Sequence, residues 1–292
     1  MSAVALRPSF WGLVRAELRK LAHQRSTWVM LLLAVGIFAV VALALIASGS
    51  IRDQLQHDPT QWFVTMLQIM YLIFATGSGI FLLIVSARSV AMEYAGGTIR
   101  VLLGRGVGRL QLLLAKLAAL LVTGVALLAG FALLAGGLVL VLVWAWTGSL
   151  SDLTSVAAEV PHALLSVVGA SLVSVVVTIL LGSVAGVLGR SPGFALGFAL
   201  GLFPADNFGI IILALLNRAT GQKFWNEVSQ WLLGPNLNLL LKVWEPHLGI
   251  RIAFGSPLVP VSAQHVEMVV AAWALAFLLV SMVLTSRRDV LE

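Results

Sequence analysis

The sequence predicts an all-α polytopic membrane protein with six transmembrane helices and both ends on the cytoplasmic side. Three observations carry this: too little charge for water, six apolar runs of spanning length, and lysine and arginine gathered on one side of those runs. Of 292 residues, 60% are hydrophobic and 10% charged, which leaves too little polar surface for a soluble globule of that size. The mean hydropathy of +1.03 comes from uninterrupted apolar runs that only a bilayer core accommodates. One transmembrane domain, 1–292, is expected. The net charge of +6 and the pI near 10.5 would suit nucleic acid in a soluble protein. Here the basic residues cluster at the ends of apolar runs, so anionic lipid headgroups and membrane orientation explain them and no nucleic-acid partner is expected. There is no cysteine, which excludes disulfides, thiolate metal sites and cysteine nucleophiles.

The first element is an amphipathic helix within 9–25. Trp11, Val14, Leu18 and Leu21 recur at helical steps, while Arg15, Glu17, Arg19, Lys20 and His23 occupy other faces. Such a helix lies on the inner membrane surface, either as a lipid anchor or as a lever touching a cytoplasmic protein. The first span, 27–47, has 21 residues and would rise roughly 31 Å, matching a hydrocarbon thickness of roughly 30 Å. It sits too far in and is too long for a cleavable signal peptide. Further spans are expected near 64–87, 117–146, 162–189, 193–216 and 266–285. The third and fourth exceed what a bilayer needs, which implies tilt or projection beyond it.

Orientation follows from the charges. With the amino terminus inside, cytoplasmic segments hold Arg7, Arg15, Arg19, Lys20, Arg25, Arg88, Arg100, Arg105, Arg109, Lys116, Arg190, Arg287 and Arg288. The outer segments hold Arg52, Arg218, Lys223, Lys242 and Arg251, so the inside sums to +9 and the outside to −3. Trp28, Trp62, Trp144, Trp146 and Trp273 lie near span ends and are expected to anchor in the headgroup zone.

The cytoplasmic loop 88–110 follows the second span. The second helix is expected to reach Tyr94, Gly96 and Gly97 to break it, and Thr98 to cap a short helix through Leu103. Gly104, Gly106 and Gly108 then permit a tight return. The short helix would present Ile99, Val101, Leu102 and Leu103 beside Arg100 and Arg105, either as a docking knob or as a positive loop that sets topology. The outer loop 217–265 carries Trp231, Leu232, Leu233, Leu237, Leu240, Leu241 and Trp244 at helical spacing. It reads as two short helices meeting at Gly234 and Pro235 and dipping into the outer leaflet.

This layout, with EYAGGTIRVLLGRGVGRLQLLLAK between the second and third spans, resembles the permease subunits of type-2 ATP-binding-cassette exporters of the small six-span bacterial kind. The similarity covers the whole chain in layout and is most distinctive at Glu93, Gly97, Thr98, Arg100, Leu103, Arg109 and Lys116. It implies that the loop is a coupling helix seated in an ATPase groove, with Glu93, Gly97, Thr98, Ile99, Arg100, Leu102, Leu103 and Arg105 as the docking and coupling residues. It also implies an amino-terminal connecting helix, a second permease copy or a related permease as dimer partner, and residence in the inner cell membrane. ATP and magnesium are expected on a separate ATPase subunit. No glycine precedes any of the four lysines, so the phosphate-loop pattern is absent from this chain.

Other chemistries fare less well. Gly77, Ser78 and Gly79 with His162 suggest an intramembrane serine protease, but small residues serve helix packing in lipid without any chemistry. His23, His57, His162, His247 and His265 show no paired helical spacing, so no metal or haem site is expected and they read as isolated surface residues. A secondary transporter would place ionisable groups at membrane depth. The spans offer little beyond Gln68, some hydroxyls and Asp206, beside Pro204 and Gly209. Asp206 is expected to face a watery vestibule or the headgroups, or else a dimer interface. The expected function is ATP-driven export of a lipophilic or amphipathic substrate, with a non-transporting membrane scaffold or sensor as the alternative.

Overall fold

A computed structural model describes residues 9–149, 160–189, 191–250 and 255–287. Arg7, Arg190, Arg251 and Arg288, counted in the charge balance, lie outside them. Every regular element among the described residues is a helix, with no strand, and six helices are long and apolar enough to cross a membrane.

An amphipathic helix α1, Phe10–His23, leads into the first span α2, Arg25–Ala47. A short helix α3, Gly49–His57, fills what reads in sequence as a plain loop. Ser48 caps it, and Leu55 buries itself against Leu45, Trp62 and Leu142. The second span is α4, Pro59–Ala95, begun by Asp58, whose carboxylate accepts from the Gln61 amide at 2.9 Å, with Pro59 in the first turn. Its 37 residues rise roughly 55 Å, longer than the roughly 30 Å of hydrocarbon, and the helix runs on past the 64–87 span to Ala95, one residue beyond the Tyr94 expected. After α5, Thr98–Gly104, the third span α6 runs from Arg109 to Thr147, starting eight residues before the 117 expected. The hydropathy pattern placed that border at Lys116 because a lysine ordinarily marks the membrane edge. Here it stands inside a helix with carboxylate partners.

The fourth and fifth spans are α7, Val160–Gly189, and α8, Pro192–Thr220. The second long loop folds into α9, Phe224–Ser229, α10, Leu233–Trp244, and a 3-10 turn, Pro246–Leu248. The last span is α11, Ala263–Arg287. α1, the last turns of α4, the start of α6 and the end of α11 meet at what we call the proximal end. The Arg109 guanidinium there donates to the Ser286 carbonyl at 3.2 Å. The chain ends of α2 and α6 and the start of α7 define the distal end.

The core is the contact between α4 and α7. A Cβ on Gly182 would lie 1.8 Å from Ser86 Oγ, and one on Gly186 would lie 2.7 Å from the Ala87 carbonyl oxygen. Only glycine lets the two backbones approach so closely, which is how helices bind in lipid, where apolar burial gives no advantage over the bilayer. Leu83, Ala87 and Ala91 of α4, Val177, Leu181 and Ala185 of α7, Ala195 and Ala199 of α8 and Val270 and Phe277 of α11 pack around this contact. By contrast, Leu45 is the one buried residue of α2.

One of the expected interfacial anchors is corrected. Trp28 and Trp144 are exposed, as anchors should be, but Trp62 is 1% exposed and belongs to the distal core with Met66 and Leu142. The ring sits one turn inside α4, where neighbours from α2 and α6 cover it. Trp273 is half occupied otherwise, its indole donating to the Trp231 carbonyl at 2.9 Å.

Candidate functional site

The proximal end holds a buried cluster of charges that joins four helices. Lys116 of α6 is 3% exposed. Its ammonium reaches Glu17 Oε2 of α1 at 2.8 Å and Glu93 Oε1 of α4 at 3.1 Å. Lys20 of α1 donates to the same Glu93 oxygen, and the Thr98 hydroxyl at the head of α5 donates to Glu93 Oε2. A single carboxylate thus holds α1, α4, α5 and α6 together. Burial alone would lower the Lys20 ammonium's pKa, but its hydrogen bond to Glu93 and the charges of Glu17 and Glu93 outweigh that and raise it above its ordinary value.

This geometry corrects the amphipathic reading of α1. The buried face is Val14, Glu17 and Leu21, while Trp11 is 72% exposed. Val14 packs on Ala115 and Ala119 of α6, and Leu21 on Leu82 and Leu120. Glu17 takes the middle of that face because Lys116 awaits it there. Hydrophobic periodicity counts such an acid as solvent-facing.

The loop after α4 breaks where glycine predicts. Gly97 adopts φ +64°, a left-handed conformation open to glycine, and caps α5 with its backbone. Thr98 is the first residue of α5 rather than its cap, because its hydroxyl is turned back to Glu93. Ile99 is likewise corrected. It does not present itself outward but is 5% exposed, packed with Val107 and Leu112 under Leu13, Tyr94, Leu102 and Leu103. Leu102 and Leu103 are half-buried against the same cluster. The outward face is therefore Arg100, Val101, Gly104 and Arg105, with Val101 56% exposed. Gly106, at φ +81°, then turns the chain, and Gly108 precedes α6. Arg88 of α4 donates to Ser26 Oγ at 2.9 Å and ties this end to α2.

Two polar clusters lie toward the distal side, around Asp206 and around Glu245. Asp206, about 21 Å along α8 from Pro192, accepts hydrogen bonds from the Gly234 and Leu233 amides at the start of α10. Its carboxylate is thus turned to the start of α10, and the residue also lines a small cavity with Asn207, Trp273 and Phe277. The first amides of a helix have no partner within it, and an aspartate meets both that need and the helix dipole. Gly234 and Pro235 do not separate two helices; both lie in the first turn of α10, where proline is tolerated. A Cβ on Gly234 would lie 2.6 Å from Asn207 Nδ2, so glycine is what lets α10 approach α8. Asp206→Ala should cost about 1–3 kcal/mol by leaving those amides unpaired, whereas Asp206→Asn retains an acceptor and should lose less. Thermal unfolding in detergent measures both. Abolished transport in a normally stable Asp206→Asn protein would instead give this residue a substrate or proton role.

Glu245 is the functional-looking residue that sequence reasoning missed. It is fully buried, 2.7 Å from His162 Nδ1 and 3.5 Å from His247 Nε2, and accepts from the Ser166 hydroxyl. His162 and His247 are thus not isolated. The cluster fastens the end of α10 to the start of α7 across a long sequence separation, which leaves no spacing signal. Among the described residues no group of three or more histidines, aspartates or glutamates, this cluster included, is placed so that it could hold a metal ion.

A family model described as ABC-2 family transporter protein matches residues 11–290, from the first turn of α1 to beyond α11. The chain belongs to the ABC-2 transporter family. No curated protein shows a significant match to it. As an ABC-2 permease, it is a multi-pass membrane subunit of an ATP-binding-cassette transporter, a family whose members work with an ABC ATPase subunit. The match includes both the helix that carries Glu17 and Lys20 and the loop that carries Thr98, so the charge cluster lies within the family's own domain.

Proposed function

We propose that this ABC-2 permease is the membrane half of an exporter, and that α5 is the element through which ATP hydrolysis on a separate subunit moves the spans. The observation that carries this reading is the Glu17–Lys116–Glu93–Lys20 cluster, extended to α5 by Thr98. A push on the Arg100–Val101–Arg105 face cannot move α5 alone. Glu93 and the Ile99 cluster transmit it to α4, α6 and α1 together, and α4 carries it into the α4–α7 core. Glu93, Gly97 and Thr98 position the loop, Ile99, Leu102 and Leu103 stiffen it, and Arg100 and Arg105 flank the contact with the ATPase. ATP and magnesium bind on that partner. ATP closure needs to favour one of two packings by only a few kcal/mol to drive the cycle.

In this reading the proximal end is cytoplasmic, the protein resides in the cell membrane with anionic lipids around its basic end, and two permease copies enclose the path. The apolar spans favour a lipophilic or amphipathic substrate. Reporter fusions after Thr147 and after Gly221 should read external and one after Gly106 cytoplasmic. A cytoplasmic reading at Gly221 would invert the distal assignment. The function itself is tested in proteoliposomes containing the permease and its ATPase subunit. ATP-dependent movement of a lipophilic dye is expected, and association with the ATPase without movement would make the chain a scaffold.

A further inference from the structure

The small cavity beside Asp206 is enclosed by α7, α8, α10 and α11 and holds about 60 Å³. At roughly 30 Å³ for each water in the liquid, that is room for a head group of about two heavy atoms and not for a drug-sized molecule. Asp206 supplies the one charge among the lining residues. It stands midway along the 29 residues of α8, a helix of spanning length. Among the described residues no lysine, arginine or histidine forms an ion pair with it. The start of α10 offsets only part of its charge. A helix N-terminus amounts to roughly half a positive unit charge, so the Gly234 and Leu233 amides leave about half of the carboxylate's charge uncompensated. An ionised group midway along a span is costly until a counter-charge reaches it. The residue is half-buried rather than sealed, so a cation that enters the cavity meets it.

The other walls decide which cation fits. Asn207 has nothing to spare, since its Oδ1 accepts from Asn238 Nδ2 at 2.9 Å and its Nδ2 donates to the Phe203 carbonyl at 3.0 Å. The Asp206 carboxylate and the Thr178 hydroxyl are too few oxygens for a hard metal ion, which takes about six. What the cavity offers instead is aromatic, the rings of Phe203, Trp273 and Phe277. Ring faces attract organic ammonium groups. The Trp273 N–H is already given to the Trp231 carbonyl at 2.9 Å, which leaves the π surface of the indole for a ligand. Leu202 and Trp273 line the cavity and are also exposed on the outside of the bundle, so a body attached to the head group can leave between α8 and α11.

We propose that this cavity receives the ammonium head of a cationic amphiphile, paired with Asp206 and packed on Trp273, with the apolar body lying outside between α8 and α11. Asp206 then serves two groups at once, the amides of α10 and the ligand's cation. As a statement about cargo this rests on the export reading, because it narrows the substrate from lipophilic or amphipathic molecules to those with a positive head. The binding itself requires no ATPase.

The probe is para-fluorobenzylammonium, cationic at neutral pH, followed by fluorine NMR with the full chain in phosphatidylcholine nanodiscs and no ATPase present. Saturable line broadening beyond that of empty nanodiscs is expected. The uncharged para-fluorobenzyl alcohol, of nearly the same size, should bind at least about tenfold more weakly, the worth of a hydrogen bond to a charged group. Asp206→Asn should weaken ammonium binding by a similar factor while melting close to the parent protein. Trp273→Leu keeps the carboxylate and should weaken binding about threefold, and it carries the test should Asp206→Asn fail to fold. Equal binding of the alcohol would overturn the proposal, as would full ammonium binding in Asp206→Asn or in Trp273→Leu. Displacement of the probe by sodium as readily as by butylammonium would make this a metal-ion site and overturn it too. Failure of binding would leave the export reading standing with its substrate held elsewhere, whereas failure of ATP-driven movement would leave this binding intact.

Discussion

Lys116→Ala is expected to destabilise the protein by about 3–5 kcal/mol, the cost of removing one partner from a buried ion pair. The ammonium is 3% exposed and serves two carboxylates, Glu17 at 2.8 Å and Glu93 at 3.1 Å. Without it Glu93 keeps Lys20 and Thr98, but Glu17 is left buried beside another acid. Folded domains are stable by only about 5–15 kcal/mol, so the loss should show as a large drop in melting temperature and in detergent-extracted yield. A paired replacement, Glu17→Gln with Lys116→Met, removes the stranded charge and should recover much of the stability. The paired variant should nevertheless hydrolyse ATP with its ATPase partner while transporting poorly, because α1 and α6 are no longer joined through a charge. If Lys116→Ala melts with the parent protein, the cluster does not hold these helices together.

The second large effect concerns recognition rather than folding. Val101→Asp combined with Arg105→Glu places negative charge on both sides of the exposed α5 face and touches no buried group of the permease. Its melting temperature should therefore stay with the parent. ATPase binding should weaken about 30-fold or more, as when a docking hot spot worth about 2 kcal/mol is lost, and ATP-dependent transport should fall with it. Ile99→Asp behaves differently, because it buries a charge in the loop's own cluster and should unfold the loop at a cost of several kcal/mol. The contrast separates a residue that meets the partner from one that shapes the loop. Normal binding and transport by the Val101→Asp, Arg105→Glu protein would mean that the ATPase docks elsewhere.

Much of the architecture was legible in the sequence because lipid imposes a length and forbids charge. The six apolar helices and the Gly96–Gly97 break follow from those constraints and from glycine's backbone freedom. Glu93 stood out through the family resemblance. Its partners did not. Glu17 and Lys116 are far apart in the chain and meet through tertiary packing, so their pairing left no periodic mark. The apolar weight of Trp11 even pointed to the wrong face of α1. Asp206 carried a signal, as an acid in an apolar run, but its partners are backbone amides, which no side-chain pattern announces. Glu245 sat in a loop between Trp244 and Pro246, in no motif, and looked ordinary. Trp62 was read by its distance from a span end, whereas α2 and α6 decide its burial.

The glycine contact between α4 and α7 also bears on how the chain is made. Gly182 lies 96 positions after Ser86, the residue it meets. At about 5–20 residues per second, translation leaves α4 waiting on the order of 5–20 s for the helix that covers it. Throughout that interval the buried Ser86 edge of α4 faces lipid or the insertion machinery. The ionic partners of α4 arrive sooner, since α1 precedes it and Lys116 follows within a single loop. Biogenesis thus has a natural order, in which the proximal charges set the rotation of α4 first and α7 then closes onto an edge already turned to receive it.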